Sequence, residues 1–338
     1  MRTISNKRRL TAVACAFLCV NTSVAQTKRP APTRNAALRY WLAFADLQDP
    51  PSDKTTADLL QKTAAGEAAW DEAKLGPILD KNEDAVRGML RATKLPECDW
   101  GLEYDLGPRA SIGYAPRARV LARLNTLYGM RLAAKGNAQE AVDAWLAGIR
   151  FSEHLAQGGS LVFSFIAKMG LLSNFRALTQ AAQNGALTPA ERTEVEEVVR
   201  ALPETGFDWS AALGFEAYGL DVALKELKES TNPAEYYQEL TGNAARQNFE
   251  VNRPLFFVGP TVADTAAFRK AVAAAERALQ LKPERARERL KTLQDSIEAL
   301  PFYREFTPSL VKINQSRAEV EAAREHLLQA LAMHQPER

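Results

Sequence analysis

This chain is poor both in the residues that do chemistry and in those that interrupt helices. Only three of its 338 residues are histidine and three are cysteine. His154, His326 and His334 belong to no H-E-x-x-H or related ligand spacing, and Cys98 has no C-x-x-C partner, so the common zinc signatures are missing. There is no G-x-S-x-G nucleophile elbow, no phosphate-cradling glycine loop and no dinucleotide fingerprint. The 18 glycines and 17 prolines sit mainly at punctuation points, and no stretch alternates apolar and polar residues as a half-buried strand would. These absences point away from metal, nucleotide and serine-nucleophile chemistry and toward a string of helices.

The N-terminus is the most legible stretch. Arg2, Lys7, Arg8 and Arg9 lead into an apolar run, Thr11 to Val20, and Ser23-Val24-Ala25 supplies a small-x-small end. That order predicts a signal peptide over residues 1–25, cleaved before Gln26, and hence a periplasmic or extracellular protein. The apolar run falls short of the roughly 20 residues a spanning helix needs. Cys15 lacks the leucine three places earlier that usually accompanies a lipid-modified cysteine. Loss of the leader changes two further arguments. Its four basic residues take the Lys plus Arg count from 43 to 39 against 41 acids, so a formal +2 becomes −2, which gives no reason to expect nucleic acid as a partner. Cys15 and Cys19 also leave, and the remaining Cys98 cannot form an internal disulfide. Stability then has to come from a core, for which 46% hydrophobic composition is ample.

The fold class read from periodicity is all-α, a helical bundle or short α-solenoid of helical hairpins. It is divided weakly near Pro203 into regions 26–205 and 206–338 that pack as one unit. A first helix is expected after Thr33, ending before Pro50-Pro51, then helices near Thr55–Ala64, Glu67–Lys74 and Pro77–Thr93. The clearest hairpin covers residues 117–156. Leu121, Leu124, Tyr128 and Leu132 line its first helix, Lys135-Gly136-Asn137 makes the turn, and Ala141, Trp145, Ile149 and Ser152 line the second. Gly158-Gly159-Ser160 stops that hairpin and opens a helix apolar on all sides, Leu161 to Leu178, which predicts burial at the centre of a bundle. Its interruptions at Ser164, Lys168 and Asn174 argue against a membrane span. Thr188-Pro189-Ala190-Glu191 reads as a capping box and Asp208 as a cap. Three helices are expected near Asp264–Leu281, Pro283–Leu300 and Thr307–Met333.

The hairpin resembles a tetratricopeptide unit at Gly129, Gly136, Ala141, Trp145 and, loosely, Gly148, although the usual terminal proline is replaced near Glu153 and no second copy follows at a 34-residue period. Asn35-Ala36-Ala37 with Tyr40-Trp41, the Cys98-Asp99-Trp100-Gly101-Leu102 segment, and the Ala118/Leu121 helix followed by Gly136 and Ala141 together resemble a family of exported all-helical proteins common in planctomycetes and acidobacteria. That resemblance implies architecture and export and carries no catalytic residues.

One segment breaks the helical pattern. Between Pro96 and Pro116 the chain strings aromatics, acids and glycines together without helical spacing, and long loops inside compact domains are usually functional. Asp99, Trp100, Glu103, Tyr104 and Asp105 are therefore the candidate binding residues. The alternative is that Trp100 and Tyr104 plug the helical stack while Asp99 caps local backbone donors. Cys98 reads as an inert thiol. Glu153-His154 and Glu325-His326 read as helix-surface pairs, and Leu255-Phe256-Phe257-Val258 as a hydrophobic plug. The expected function is a non-catalytic scaffold binding a protein or peptide of the cell envelope, with no cofactor or metal implied and no transmembrane span in the mature chain. Its rival is a hydrolase using the carboxylates of the 99–105 loop. N-terminal sequencing of protein from the native envelope should begin at Gln26; intact protein starting at Met1 in the cytosol would overturn the export reading and the charge and cysteine arguments built on it.

Overall fold

Thirteen α-helices and one short 3-10 turn make up the described part of the protein, and none of its residues belongs to a strand; the computed structural model describes residues 33–49, 53–110, 112–241 and 260–333. In order they are α1 (Ala36–Asp46), α2 (Lys54–Ala64), α3 (Glu72–Ala92), the 3-10 turn Tyr104–Arg109, α4 (Ala115–Ala134), α5 (Ala138–Ala156), α6 (Leu161–Gln183), α7 (Pro189–Ala201) and α8 (Trp209–Glu229). α9 (Pro233–Thr241), α10 (Val262–Leu279), α11 (Pro283–Glu298), α12 (Pro301–Phe306) and α13 (Leu310–Ala332) follow. Arg34–Arg338 form one compact unit.

Side chains placed one residue outside each helix start most of them. Asp53, Asp71, Thr188, Asp208, Thr261 and Ser309 each accept a backbone N–H from the first turn, which satisfies a donor the helix itself leaves orphaned. The Thr188–Glu191 capping box forms as its spacing predicts, and Thr261 forms a second one with Asp264. The first helix is capped by Asn35 and not by Thr33: Asn35 Oδ1 accepts the Ala37 N–H at 3.0 Å. The two helices expected at 67–74 and 77–93 are one helix, α3. Pro77 lies inside it, and Leu75, Ile78 and Leu79, all buried around it, hold the turn that lacks a proline donor. α12 was not anticipated, because at six residues it is too short to show a period.

The α4–α5 hairpin turns on Gly136, whose φ of +82° is the left-handed conformation that glycine adopts without strain. Its helices touch through Gly129, where an added Cβ would lie 2.3 Å from the Trp145 indole nitrogen. Trp145 fills that notch and donates its N–H to the Thr126 carbonyl at 3.2 Å. α6 then packs across both helices. A Cβ on Gly148 would fall 2.4 Å from the Asn174 amide and 2.6 Å from that of Asn125, so the three helices approach too closely there for any side chain. Asn125 instead donates to the Ala144 carbonyl at 2.8 Å and Asn174 to that of Gly170 at 2.8 Å, a buried polar layer within the apolar core.

α6 is long and apolar enough to cross a membrane by length and composition, yet 67% of its most apolar window is buried inside the protein, as for a core helix. Ser160 occupies its cap position without a side-chain bond; the Glu216 carboxylate on α8 takes the Leu161 N–H at 2.8 Å instead. α13 lies on the other side of α6 and also packs on α11 and α7, burying Leu310, Ile313, Val320, Leu327 and Leu331. Arg192, Arg317 and Arg324 stitch these layers by donating to main-chain carbonyls of neighbouring segments. Truncating Trp145 to alanine should cost about 3–5 kcal/mol. Gly129→Ala, which forces the indole out of its notch, should cost about 1–3 kcal/mol. Denaturant melts that leave both variants unchanged would place the hairpin contact elsewhere.

Candidate functional site

The segment from Glu97 to Arg109 is a clasp between distant helices. It enters beside α1, where the Ala36 N–H meets the Glu97 carbonyl at 2.7 Å and Asn35 exchanges two hydrogen bonds with the Asp99 backbone, at 2.8 and 2.9 Å. The Asp99 carboxylate accepts the Gly101 N–H at 2.9 Å and so holds a local turn. Trp100 is only 5% exposed. It stacks between Tyr40, Phe44 and Tyr114, with ring centroids 4.6–6.2 Å apart, and its indole donates to the His154 carbonyl at 2.7 Å. Trp100 is thus packed as a core plug, one of the two roles its sequence allowed: its faces are covered by other rings and its one donor is used.

The other half of the clasp faces α8. Tyr104 packs edge-on against Phe215 at 4.4 Å and donates to the Gly158 carbonyl at 3.3 Å. Asp105 accepts the Tyr218 hydroxyl at 3.0 Å, and Arg109 pairs with Glu226. Glu103 is exposed between these two anchorages. The five candidate residues are therefore split between two docking surfaces, with Asp99 and Trp100 toward α1 and α5 and Tyr104 and Asp105 toward α8. Among the described residues no group of three or more His, Cys, Asp or Glu side chains is placed to hold a metal ion. The Leu255–Val258 run lies outside the described residues.

Burial has strong electrostatic effects in this region. His154 is 1% exposed, which corrects its reading as a surface residue; its Nδ1 lies 2.7 Å from the Tyr40 hydroxyl. Desolvation, reinforced by nearby Arg150, pushes its pKa from 6.5 down to about 4, so at neutral pH the imidazole is uncharged and shares a neutral hydrogen bond with the Tyr40 hydroxyl. Tyr40 is driven upward by the same burial. Burial also pushes the Cys98 thiol up to about 12, which keeps it protonated and poorly nucleophilic.

A more open feature runs along α6. Three cavities of about 250, 410 and 490 Å³ follow one another and share lining residues: Ala65 and Arg176 belong to the first two, Gly66 and Gln180 to the last two. Their common floor is one stripe of α6, Met169, Ser173, Arg176, Gln180 and Asn184, spaced three to four apart so that the side chains share a face. Gln61 and Ala64 at the end of α2 line the first, and the connection 65–70 contributes to all three. At a rise of 1.5 Å per residue the stripe spans about 22 Å.

The two ends of this groove differ. Ala133, Ala134, Ala181, Met130, Trp70 and Trp145 give the 490 Å³ end an apolar lining in which Glu67 is the lone acid. Arg119, Arg123, Lys168 and Arg176 line the 250 Å³ end, where there is no acid. A separate cleft of about 590 Å³ between α11 and α13 mixes Glu284, Glu288, Glu321 and Glu325 with Arg287 and Lys291 and so presents no single charge. The groove's residues were not among the sequence candidates. The available signal was the polar stripe at helical spacing inside an otherwise apolar helix, where Lys168 reads as an interruption until α4 and α2 are seen beside it.

The chain matches no family model, no curated protein and no solved structure.

His154 sets a testable acid sensitivity. Its folded pKa lies below the unfolded value, so protons bind the unfolded chain more readily. The stabilisation is complete above about pH 6.5 and declines as pH falls toward 4, by up to roughly 3 kcal/mol. His154→Asn, whose amide can replace Nδ1 as the hydrogen-bond partner, should flatten the stability–pH slope in that window. An unchanged slope in chemical denaturation would assign the acid response to other groups.

Proposed function

We propose that this protein is an exported, non-catalytic helical scaffold, acting in the periplasm or outside the cell, that holds a peptide segment of an envelope protein in the groove along α6. The observation that carries this reading is the merging of three cavities over one stripe of a rigid, buried helix, with an apolar wall at one end and a cationic wall at the other. A floor of about 22 Å matches an extended peptide of roughly seven residues at about 3.3 Å each. Mounting the stripe on the central helix of the core keeps it preorganised, so a ligand meets little ordering cost on the protein side. The tetratricopeptide-like α4–α5 hairpin contributes one wall, and grooves between helical hairpins are a common place for peptides to lie. The clasp residues Asp99, Trp100, Tyr104 and Asp105 support the scaffold from behind: their polar and aromatic groups are committed to α1, α5, α8 and the local turn.

Ala133 is exposed on α4 and lines the apolar end, so Ala133→Trp fills the cleft without entering the core. Peptides selected on the mature protein from a random display library should bind Ala133→Trp about tenfold or more weakly, the loss of a well-packed anchor, while melting stays within about 0.5 kcal/mol of wild type. Selected peptides that bind this variant as well as wild type would show that they dock elsewhere, and the groove reading would fall.

A further inference from the structure

The cationic end of the groove says what kind of peptide it takes. Among the described residues the other buried and half-buried arginines are all engaged. Arg131 is paired with Glu72 and Asp80, while Arg192, Arg317 and Arg324 donate to main-chain carbonyls. Arg123 is half-buried on α4, lines the 250 Å³ cavity, and has no hydrogen bond or ion pair among the described residues. A guanidinium withdrawn from water without an acceptor is costly, and the cost is removed when an anion arrives. Arg119 lies four residues earlier, one turn away on the same helix face, where two like charges repel. Burial and that neighbour both act against the charged form of Arg123. Arg176 enters from α6, exposed and likewise unpaired among the described residues. Lys168, the fourth cation, is already held by Glu319 at 2.7 Å and Ser316 at 3.1 Å. Three uncommitted guanidiniums thus face one small cavity that has no acidic residue in its lining.

We infer that Arg119, Arg123 and Arg176 form a carboxylate clamp, and that the segment bound in the groove is an acidic amphipathic peptide, its Asp or Glu side chains at this end and its apolar side chains against Met130, Trp70 and the alanines at the other. The inference rests on the groove reading above and adds the ligand's charge. Guanidinium forks match the planar, two-oxygen geometry of carboxylates, and Arg123 sits far enough from bulk water for such a pair to be weakly screened. The apolar end selects against a purely acidic tail, and the cationic end against a neutral one.

The test compares two synthetic 12-residue peptides in fluorescence anisotropy with the mature protein, one with leucine and phenylalanine in one half and glutamate in the other, the second with each glutamate replaced by glutamine. The glutamate peptide should bind about tenfold or more tightly, the value of a charge-assisted hydrogen bond, and its advantage should shrink with added salt. In Arg123→Gln the advantage should vanish while the affinity for the glutamine peptide is unchanged. Arg119→Gln, at an exposed position, serves as a second variant should Arg123→Gln fold poorly. Equal binding of the two peptides, with both lost in Ala133→Trp, would overturn the clamp and leave the groove standing. An advantage that survives Arg123→Gln would also overturn it. Arg123-dependent binding of phosphatidylglycerol vesicles without binding of the glutamate peptide would replace the peptide by an anionic lipid surface. If neither peptide binds the wild-type protein, the groove reading fails and the clamp with it.

Discussion

The fold depends on burying α6. A 23-residue helix with Leu161, Phe163, Ile166, Ala167, Leu171, Phe175 and Leu178 distributed around its circumference cannot be covered by one neighbour. α4 and α5 cover one side and α13 another, with α8 adding further contacts. The contact is close because residues with little or no side chain stand where helices cross. Gly148 admits the Asn125 and Asn174 amides, and Gly129 admits the Trp145 ring. The polar atoms drawn into this crossing then find carbonyls on the same helices, so the core is both close-packed and largely hydrogen-bonded.

Local rules carried most of the architecture. The capping box at Thr188, the Asp208 cap, the Gly136 turn and the buried stripe of α13 were all readable, because each depends on residues close in sequence or at helical spacing along one helix. Reading failed where a partner from far away decides the outcome. His154 looks like a surface residue beside Glu153, but Tyr40, 114 residues earlier, comes to cover it. For Trp100 the sequence left a binding aromatic and a plug both open, and only α1 and Tyr114, which supply the enclosing rings, distinguish them. Ser160 has the right identity for a cap, yet Glu216 performs the role.

The groove was hidden for a related reason. Arg119 and Arg123 sit one turn apart on α4, and Arg176 stands more than 50 residues later on α6. In sequence each is an ordinary solvated cation, since charges at helical spacing usually mark an exposed face. Their meaning comes from the packing of α4 against α6, with α2 beside them, which gathers like charges around one cavity where Glu319 pairs with Lys168 alone. In the same way the aromatic, acid-rich segment that drew notice in the sequence spends its side chains internally.

The clasp also governs the order in which the structure can assemble. α4, α5 and α6 follow one another directly, so their contacts close short loops and can form early. The clasp joins Asn35 to Asp99, Trp100 to His154 and Asp105 to Tyr218, across 64, 54 and 113 residues, and each closure costs chain entropy before any contact repays it. α1 packs mainly on α3 and gains further bonds from Glu97 and Asp99, while the Arg109–Glu226 pair joins the clasp to α8. Contact order therefore assigns the early steps of assembly to the helical trio and later ones to the clasp, whose contacts span 54 to 113 residues.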